Sequence, residues 1–245
     1  MLASLLLASI LTGATPPGGA GESDRGFALV ELFTSEGCSS CPPADALLGR
    51  IAADAEREHR SVYALSFHVD YWDHLGWRDR FSDAAFTRRQ GEYARAFGLA
   101  SLYTPQMVVN GERQFVGSDD AKARGAIRDG LAQTGAQPMT VDARWVGRDV
   151  AVGYSVPHVP PDVVLEVAWV DDRATSSPSR GENEGRTLHH VDVVRELRSV
   201  TLAGHPGGTV TLHPPERSAG RVIAWVQTPR AGRVLGASAS RRLEP

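Results

Sequence analysis

The chain has 245 residues, a formal net charge of −3 at neutral pH and only two cysteines. This length can bury one large core or two modest ones. The balance of acids and bases excludes the strongly basic surface of a nucleic-acid-binding protein. One pair of cysteines also excludes the multiple-disulfide framework that holds small secreted domains together.

The amino-terminal segment has the pattern of a secretory signal peptide. Leu2 to Leu11 form an apolar run of ten residues, which is too short to span a bilayer as a helix. Small residues follow, with cleavage sites after Ala14 or Ala20. No basic residue precedes the run, so a disordered tail or a tail packed on the core is the alternative. We expect residues 1–20 to be a signal peptide and linker, and the mature protein to be periplasmic or secreted without a membrane span.

Cys38 and Cys41 lie between a predicted strand and a predicted helix. Residues 27–33 form a short apolar run typical of a buried strand, and from Ala44 to His59 the apolar spacing is that of one helix face. Free backbone N–H groups and the positive end of a helix stabilise a thiolate. We therefore predict a redox pair, with Cys38 the exposed nucleophile and Cys41 the buried resolving thiol. A four-ligand zinc site does not fit, because the chain has no other cysteine.

Two more strand and helix units follow the cysteines. Residues 62–69 are nearly all apolar, as in a strand covered on both faces. Ser82 and Ser118 are predicted to cap two further helices, and Asn110-Gly111 predicts a β-hairpin between them. Strands alternating with helices and closed by a hairpin predict a mostly parallel sheet. We assign residues 26–135 to an α/β thioredoxin-like domain.

The pattern changes after Pro138. Apolar and polar residues then alternate in several short runs that are separated by turn-forming residues, and no helical period appears. This pattern is typical of a β-sandwich or an open barrel. We therefore predict a second, all-β sandwich-like domain over residues 138–245.

Two residues outside the cysteine motif are predicted to take part in its chemistry. Thr104-Pro105 comes just before the hairpin, where a thioredoxin fold places a cis proline against the CxxC and a bound peptide; an ordinary trans proline is the alternative. Glu31 is the only charged residue of the first strand. If buried, its carboxylate could take the proton of the resolving thiol; a solvent-facing glutamate is the alternative.

The segment after the second strand carries candidate substrate-binding groups. They are His68, Asp70, Tyr71, Trp72 and Trp77, and Thr104 before Pro105 is a further candidate for binding the substrate. Open α/β sheets gather their sites where such strands end, so we expect this segment to form one wall of a groove beside Cys38. The alternative is structural, with His68 hydrogen-bonded and the tryptophans covering a domain interface. Gly181-Glu182-Asn183 and His189-His190 carry weaker signals. The two histidines do not form a chelate by themselves, because neighbouring residues of a strand point to opposite faces.

Three motifs together resemble a known family. They are Leu32 to Pro43, Phe67 to Asp73 and Tyr103 to Gly111, with Gly185 to Leu188 and His190 farther on. From about Phe27 to its end, the chain resembles an uncharacterised bacterial family of secreted thioredoxin-fold proteins known as domain of unknown function 1223.

A wider resemblance is to thioredoxins. It implies that Cys38 is the nucleophile, that Cys41 is the resolving thiol and that Pro105 is cis. Glu31 matches the strand that carries the buried acid of thioredoxins, although it lies one residue farther from the cysteines. Gly37 replaces the usual tryptophan and Ser-Ser the usual Gly-Pro, so a general reductase is not implied.

These observations predict a thiol–disulfide oxidoreductase that acts on thiols or disulfides of an exported protein. The reaction needs no cofactor and no metal, and no nucleic acid is involved. One alternative is a periplasmic Cu(I) metallochaperone that uses Cys38, Cys41 and His68, because soft thiolates favour Cu(I). Another is a non-catalytic interaction module whose disulfide is structural. The partner, the direction of electron flow and the oligomeric state are not encoded in these motifs.

Overall fold

The computed structural model describes residues 26–202 and 205–245. The predicted signal peptide, residues 1–20, lies outside the described residues, so export stays a prediction. Within the described part, no helix is long and apolar enough to cross a membrane.

The first half of the described chain alternates strands and helices. Its elements are β1 (Ala28–Thr34), α1 (Pro42–Arg57), β2 (Val62–His68), a 3-10 helix (Asp70–Leu75), α2 (Ala84–Ala96), β3 (Gln106–Val109), β4 (Arg113–Val116) and α3 (Asp120–Ala132). The helix caps differ from the prediction. The carboxylates of Asp83 and Asp119 accept hydrogen bonds from Ala85 N and Lys122 N, so each helix begins one residue later than a Ser82 or Ser118 cap would give.

The second half consists of strands. They are β5 (Thr140–Val146), β6 (Asp149–Ser155), β7 (Val164–Ser176), β8 (Leu188–Thr201), β9 (Gly207–Leu212), β10 (Gly220–Gln227) and β11 (Val234–Ala239). The predicted all-β character of residues 138–245 matches these elements, but their arrangement does not match the predicted architecture.

The predicted fold class, a thioredoxin-like α/β domain followed by a separate β-sandwich, is wrong. Eight strands from both halves form one mixed sheet in the order β11-β10-β7-β8-β2-β1-β3-β4, and β5, β6 and β9 form a second sheet. The two halves join where β8 pairs with β2 through Ser66 and Val193. The protein is therefore mostly β, with a few helices on a continuous sheet.

The physical reason for the continuous sheet is the edge of β2. Without β8, this buried strand would present unpaired N–H and C=O groups, which sheets avoid by pairing or covering their edges. The three-stranded sheet covers a different region, because Val150, Val152 and Leu212 pack against Trp169 and Val222 of the large sheet. The second half thus completes the first instead of standing beside it.

The helices cover opposite faces of the large sheet. On one face, α1 and α3 pack on side chains such as Leu32 and Met107. On the other, α2 packs on Phe33 and Phe67, with Tyr93 from its own last turns. β1 and β2 are parallel, so the CxxC segment and the 3-10 helix leave the same edge of the sheet. This edge holds the candidate site.

Candidate functional site

The two cysteines form a disulfide. Cys38 and Cys41 are bonded across a turn with a Cα–Cα distance of 5.4 Å, and Cys41 N donates a hydrogen bond to Cys38 O at 3.2 Å. Pro42 begins α1, where its missing N–H costs little. Both cysteines are fully buried, which corrects the expectation of an exposed Cys38. Cys38 still lies nearer the surface, since its Sγ is 3.3 Å from the hydroxyl of the exposed Ser40.

Residues 177–187, which connect β7 to β8, lie over the disulfide and are called the capping loop below. Asn183 Nδ2 donates hydrogen bonds to the backbone oxygens of Glu36 and Cys38, both at 2.9 Å. Ser39 N donates to Glu182 Oε2 at 3.0 Å. Asn183 is fully buried whereas Glu182 is exposed. The capping loop therefore fastens the backbone of the CxxC segment in the disulfide form.

The Thr104–Pro105 bond is cis, as predicted. Pro105 is buried, and its segment lies beside the cysteines because Ser40 Oγ donates to Thr104 O at 3.5 Å. Trp72 Nε1 donates to Thr104 Oγ1 at 2.8 Å. Thr104 is thus held from two sides, by the CxxC turn and by the segment from Asp70 to Phe81, which is called the aromatic segment below.

The segment from Asp70 to Phe81 lies beside the disulfide, but its polar groups point mostly inward. The Trp72 Cβ lies against Gly37, where an added Cβ would come within 3.1 Å. Trp77 Nε1 donates to Glu36 Oε2 at 2.6 Å, and Asp70 Oδ1 accepts from Thr87 Oγ1 at 2.5 Å. Tyr71 and both tryptophans are half-buried. Contact with a partner at this wall stays a prediction.

Glu31 does not lie beneath the disulfide. It is buried on the α2 face, where Arg89 Nε donates to its Oε2 at 2.5 Å and Arg89 Nη2 to its Oε1 at 3.0 Å. Glu31, Arg89, Tyr93, Glu166 and Gln227 are called the arginine cluster below. Because α1 packs on the other face and Arg89 holds the carboxylate, the geometry gives no support to Glu31 as the proton acceptor of Cys41.

His68 is fully buried and is therefore not placed to touch a substrate. It belongs to a group of ionisable side chains enclosed between β1, α1, β2, β8 and the aromatic segment. Glu36, Asp45, His68, Asp79 and His190 are called the histidine cluster below; all are at most 7% exposed.

Short contacts hold the histidine cluster together. His68 Nδ1 lies 2.6 Å from Asp79 Oδ2, which also accepts a hydrogen bond from Glu36 N at 2.9 Å. The rings of His68 and His190 meet edge to face, with centroids 4.7 Å apart. His190 Nε2 lies 3.7 Å from Glu36 Oε1, and His190 Nδ1 lies 3.9 Å from Asp45 Oδ2. Buried ring atoms without a hydrogen-bond partner among the described residues are His68 Nε2 and His190 Nδ1.

Burial and mutual charge set the protonation of the histidine cluster. Burial opposes the charged form of His68, but the Asp79 carboxylate outweighs it and raises the pKa of His68. Burial, together with the charge on His68, lowers the pKa of His190 to about 3. Burial also raises the pKa of Asp45 to about 6, although His68 and the Thr34 hydroxyl oppose the rise. The cluster thus combines a histidine whose protonated form is favoured with one whose neutral form is favoured.

Burial, and then the nearby Asp79 carboxylate, also raise the pKa of Glu36. For Asp79 itself burial acts in the same direction, but His68 outweighs it and lowers the pKa of Asp79. Within one site, the environment therefore favours the protonated form of Glu36 and the ionised form of Asp79.

The sequence interpretation missed Asp45 and Asp79, and it gave Asn183 only a weak signal without placing it at the cysteines. Asp45 had a signal, because it interrupts the apolar face of α1 one turn after Cys41. His190 is buried and His189 exposed, as expected for neighbours on a strand. No group of three or more His, Cys, Asp or Glu side chains within residues 26–202 and 205–245 is arranged to hold a metal ion.

A family model matches residues 29–227, and its description is a protein of unknown function, DUF1223. The chain belongs to the DUF1223 family. The match covers the disulfide, the capping loop and the histidine cluster. No curated protein matches the chain.

Two solved structures are similar over most of this DUF1223 protein. One is protein AGR_C_4864 from Agrobacterium tumefaciens, a structural genomics target, with 28% identity and a TM-score of 0.62; the match covers 86% of this chain and 92% of that one. The other is HBP35 of Porphyromonas gingivalis, with 15% identity and a TM-score of 0.59, covering 88% and 74%. At 15% identity the second likeness shows the fold alone.

Proposed function

We propose that this protein is a thiol–disulfide oxidoreductase that exchanges with a cysteine of an exported protein. The observation that carries the proposal is the histidine cluster beside the disulfide. Burying ionisable groups is costly unless each one is paired, and shifted pKa values gather at functional sites. A disulfide that only cross-links the chain needs no such surroundings.

In the proposed reaction the thiolate of reduced Cys38 attacks a disulfide of the partner. Cys41 then attacks Cys38 and resolves the mixed disulfide. The exposed Ser39 and Ser40 beside Cys38 offer the shortest way in from solvent. Cys41 is the N-cap residue of α1, and it stays behind Cys38 on the interior side. Because both sulfurs are closed off in the disulfide form, exchange requires the contacts of Asn183 and Glu182 to open.

The burial of both cysteines favours one other candidate, a purely structural disulfide. A ring closed by so few residues contributes about 2 kcal/mol by the chain-entropy relation, which is less than long-range disulfides contribute. Cu(I) binding by Cys38, Cys41 and His68 stays an alternative prediction, because the two sulfurs are joined in a disulfide and a thiolate site requires them reduced.

The reduction potential of the Cys38–Cys41 pair separates the two candidates. It is measured by equilibrating the protein in glutathione buffers and alkylating the free thiols. An exchange-active pair is expected to lie above about −300 mV, and a structural one below that value. A value below −300 mV would overturn the proposed function.

Trapping experiments then assign the two sulfurs. Cys41→Ser is expected to accumulate a stable mixed disulfide with an exported protein that carries a disulfide, because the Cys38 thiolate can still attack that disulfide, one partner sulfur leaves as a thiolate, and nothing resolves the product. Cys38→Ser is the matched control and is expected to trap none. Equal trapping by the two variants would contradict the roles assigned here.

A further inference from the structure

Asp45 lies one helical turn after Cys41. Asp45 N donates a backbone hydrogen bond to Cys41 O at 3.1 Å, and Cys41 itself has helical backbone angles, φ −78° and ψ −37°. Side chains four residues apart on a helix lie on the same face, with Cβ atoms about 5–6 Å apart. Asp45 and Cys41 therefore lie on the same side of the helix, one turn apart, and a short proton path between the carboxyl group and the Cys41 sulfur is the geometric basis of the inference below.

The surroundings of Asp45 are unusual for a carboxylate. It is only 7% exposed and lies among Ala44, Leu47 and Leu48 on the apolar face of α1. One of its oxygens, Oδ1, accepts a hydrogen bond from Thr34 Oγ1 at 2.8 Å. The basic group facing Oδ2 is His190 Nδ1, at 3.9 Å, which is too long for a hydrogen bond. Among the described residues, no ion pair of short range explains why a carboxylate is buried there.

Charged groups face Asp45 from several elements. His68 at the end of β2 lowers its pKa, whereas Asp79 and Glu36 raise it, and the net result with burial is a value of about 6. His190 from β8 is neutral at this pH, since its own pKa is about 3. A group with this pKa is mostly ionised at pH 7 and can still hold a proton, as a general base near neutrality must.

We propose that Asp45 accepts the proton of the Cys41 thiol when the disulfide closes. This inference rests on the proposed function. With the partner's sulfur bonded to Cys38 Sγ, the Cys41 proton passes to the Asp45 carboxylate, directly or through one bridging water. Cys41 Sγ then attacks Cys38 Sγ, the bond from Cys38 to the partner breaks, and the partner leaves as a thiolate. The Cys41 sulfur is oxidised and the partner's sulfur is reduced; in the reverse direction Asp45 returns the proton.

His68 and His190 act as positioning residues in this step. The pair of His68 with Asp79 places a positive charge near Asp45, which favours its ionised form. The neutral ring of His190 closes the other side. Neither ring needs to touch the sulfurs for this role.

The test follows both sulfurs of the full, reduced protein by stopped flow with Ellman's reagent. Attack by Cys38 releases the first thionitrobenzoate, and attack by Cys41 on the resulting mixed disulfide releases the second. In the wild type, the rate of the second release is expected to rise through an inflection near pH 6. In Asp45→Asn it is expected to fall about a hundredfold at pH 7 and to lose that inflection, because general acid–base catalysis contributes about 10²- to 10⁴-fold.

Two further variants keep the inference testable. Asp54→Asn is the matched control, since Asp54 lies on the same helix but pairs with Arg57 and Arg124 outside the site; it is expected to leave both releases unchanged. Thr34→Val keeps the acid but removes a hydrogen bond that lowers its pKa, so the inflection is expected to move to higher pH. This variant serves also if Asp45→Asn does not fold.

The outcomes separate this inference from the proposed function. If Cys38 gives no first release in the wild type, the proposed function fails. If both releases occur but the second has the same rate and pH profile in Asp45→Asn or in Thr34→Val as in the wild type, the assignment of Asp45 fails and the proposed function stands.

Discussion

Two of the buried sets of ionisable side chains, the arginine cluster and the histidine cluster, differ in how completely they are paired. In the arginine cluster, Arg89 donates to Glu31, Tyr93 and Gln227, and lies 3.9 Å from Glu166. In the histidine cluster, two buried ring nitrogens have no hydrogen-bond partner in the described part of the chain. The contacts of Arg89 in the arginine cluster are those of a group that stabilises the fold. The histidine cluster keeps ring nitrogens without a hydrogen-bond partner near the disulfide. The proposed function uses this incomplete pairing, because groups that exchange protons in a reaction cannot all be permanently paired.

The largest expected effect comes from breaking the arginine cluster. Glu31→Gln leaves the buried Arg89 charge without its main partner, so the free energy of unfolding is expected to fall by about 3–5 kcal/mol. Urea denaturation measures this change. Thiol kinetics of the folded fraction should stay at the wild-type level, because the cluster lies on the face opposite α1.

Glu166→Gln is the control for that change. Glu166 lies 3.9 Å from Arg89, at the limit of an ion pair, and its loss is expected to cost less. If Glu31→Gln lowers the free energy of unfolding by less than about 1 kcal/mol, or slows the second thionitrobenzoate release, the two clusters do not have the separate roles assigned to them here.

The second effect concerns access to the disulfide. Asn183→Ala removes two hydrogen bonds from the capping loop to the CxxC backbone, each of which contributes about 0.5–1.5 kcal/mol. Reduction of the disulfide by dithiothreitol is therefore expected to accelerate roughly tenfold or more, because the closed form loses that stabilisation. The rate is followed by alkylation and gel shift.

Glu182→Ala serves as the comparison, since Glu182 is exposed and makes one hydrogen bond to Ser39 N. Its effect on the reduction rate should be smaller. An unchanged rate in Asn183→Ala would mean that the capping loop does not control access to the disulfide.

The smallest effect is a pH dependence of stability. Folding lowers the pKa of His190 to about 3, so its contribution is present above the unfolded value of about 6.5 and is lost as the pH falls from there toward 3. Folding raises the pKa of Asp45 to about 6, so its contribution is greatest below about 3.9 and is lost as the pH rises through 6. The two contributions oppose each other.

Denaturation at pH 7.5 and pH 5.5 separates them. When the pH falls from 7.5 to 5.5, the free energy of unfolding of His190→Gln is expected to fall by about 1 kcal/mol less than that of the wild type. Asp45→Asn is expected to lose more than the wild type, since only the histidine contribution remains. Identical losses in all three proteins would show that neither group changes its protonation on folding.

Local signals predicted the local structure of the site better than its surroundings. The CxxC before α1 and the hairpin at Asn110-Gly111 are local patterns, and the structure has a disulfide and two paired strands there. The pairing of Ser66 with Val193 joins distant segments, and no property of either strand specifies its neighbour. The separate β-sandwich was therefore a plausible but wrong extension of a correct strand pattern.

The same limit applies to individual site residues. Glu31 was selected because it is charged within an apolar strand, but strand alternation puts it on the face away from α1. Asp45 could have been found by asking which residue follows Cys41 by one helical turn. The sequence marks Asn183 only weakly and does not place it, because only the fold brings the capping loop to the cysteines.

The continuous sheet has a consequence for the order in which the protein can mature. Gln227 accepts from Arg89 and donates to Tyr93, although 138 and 134 residues separate it from them. The cysteines leave the ribosome early, while the strand carrying Gln227 and the loop carrying Asn183 are made later. Until the capping loop has been made and has docked, the contacts of Asn183 and Glu182 that fasten the CxxC segment are absent, so the cysteine pair is open to an oxidant earlier in maturation than in the finished fold.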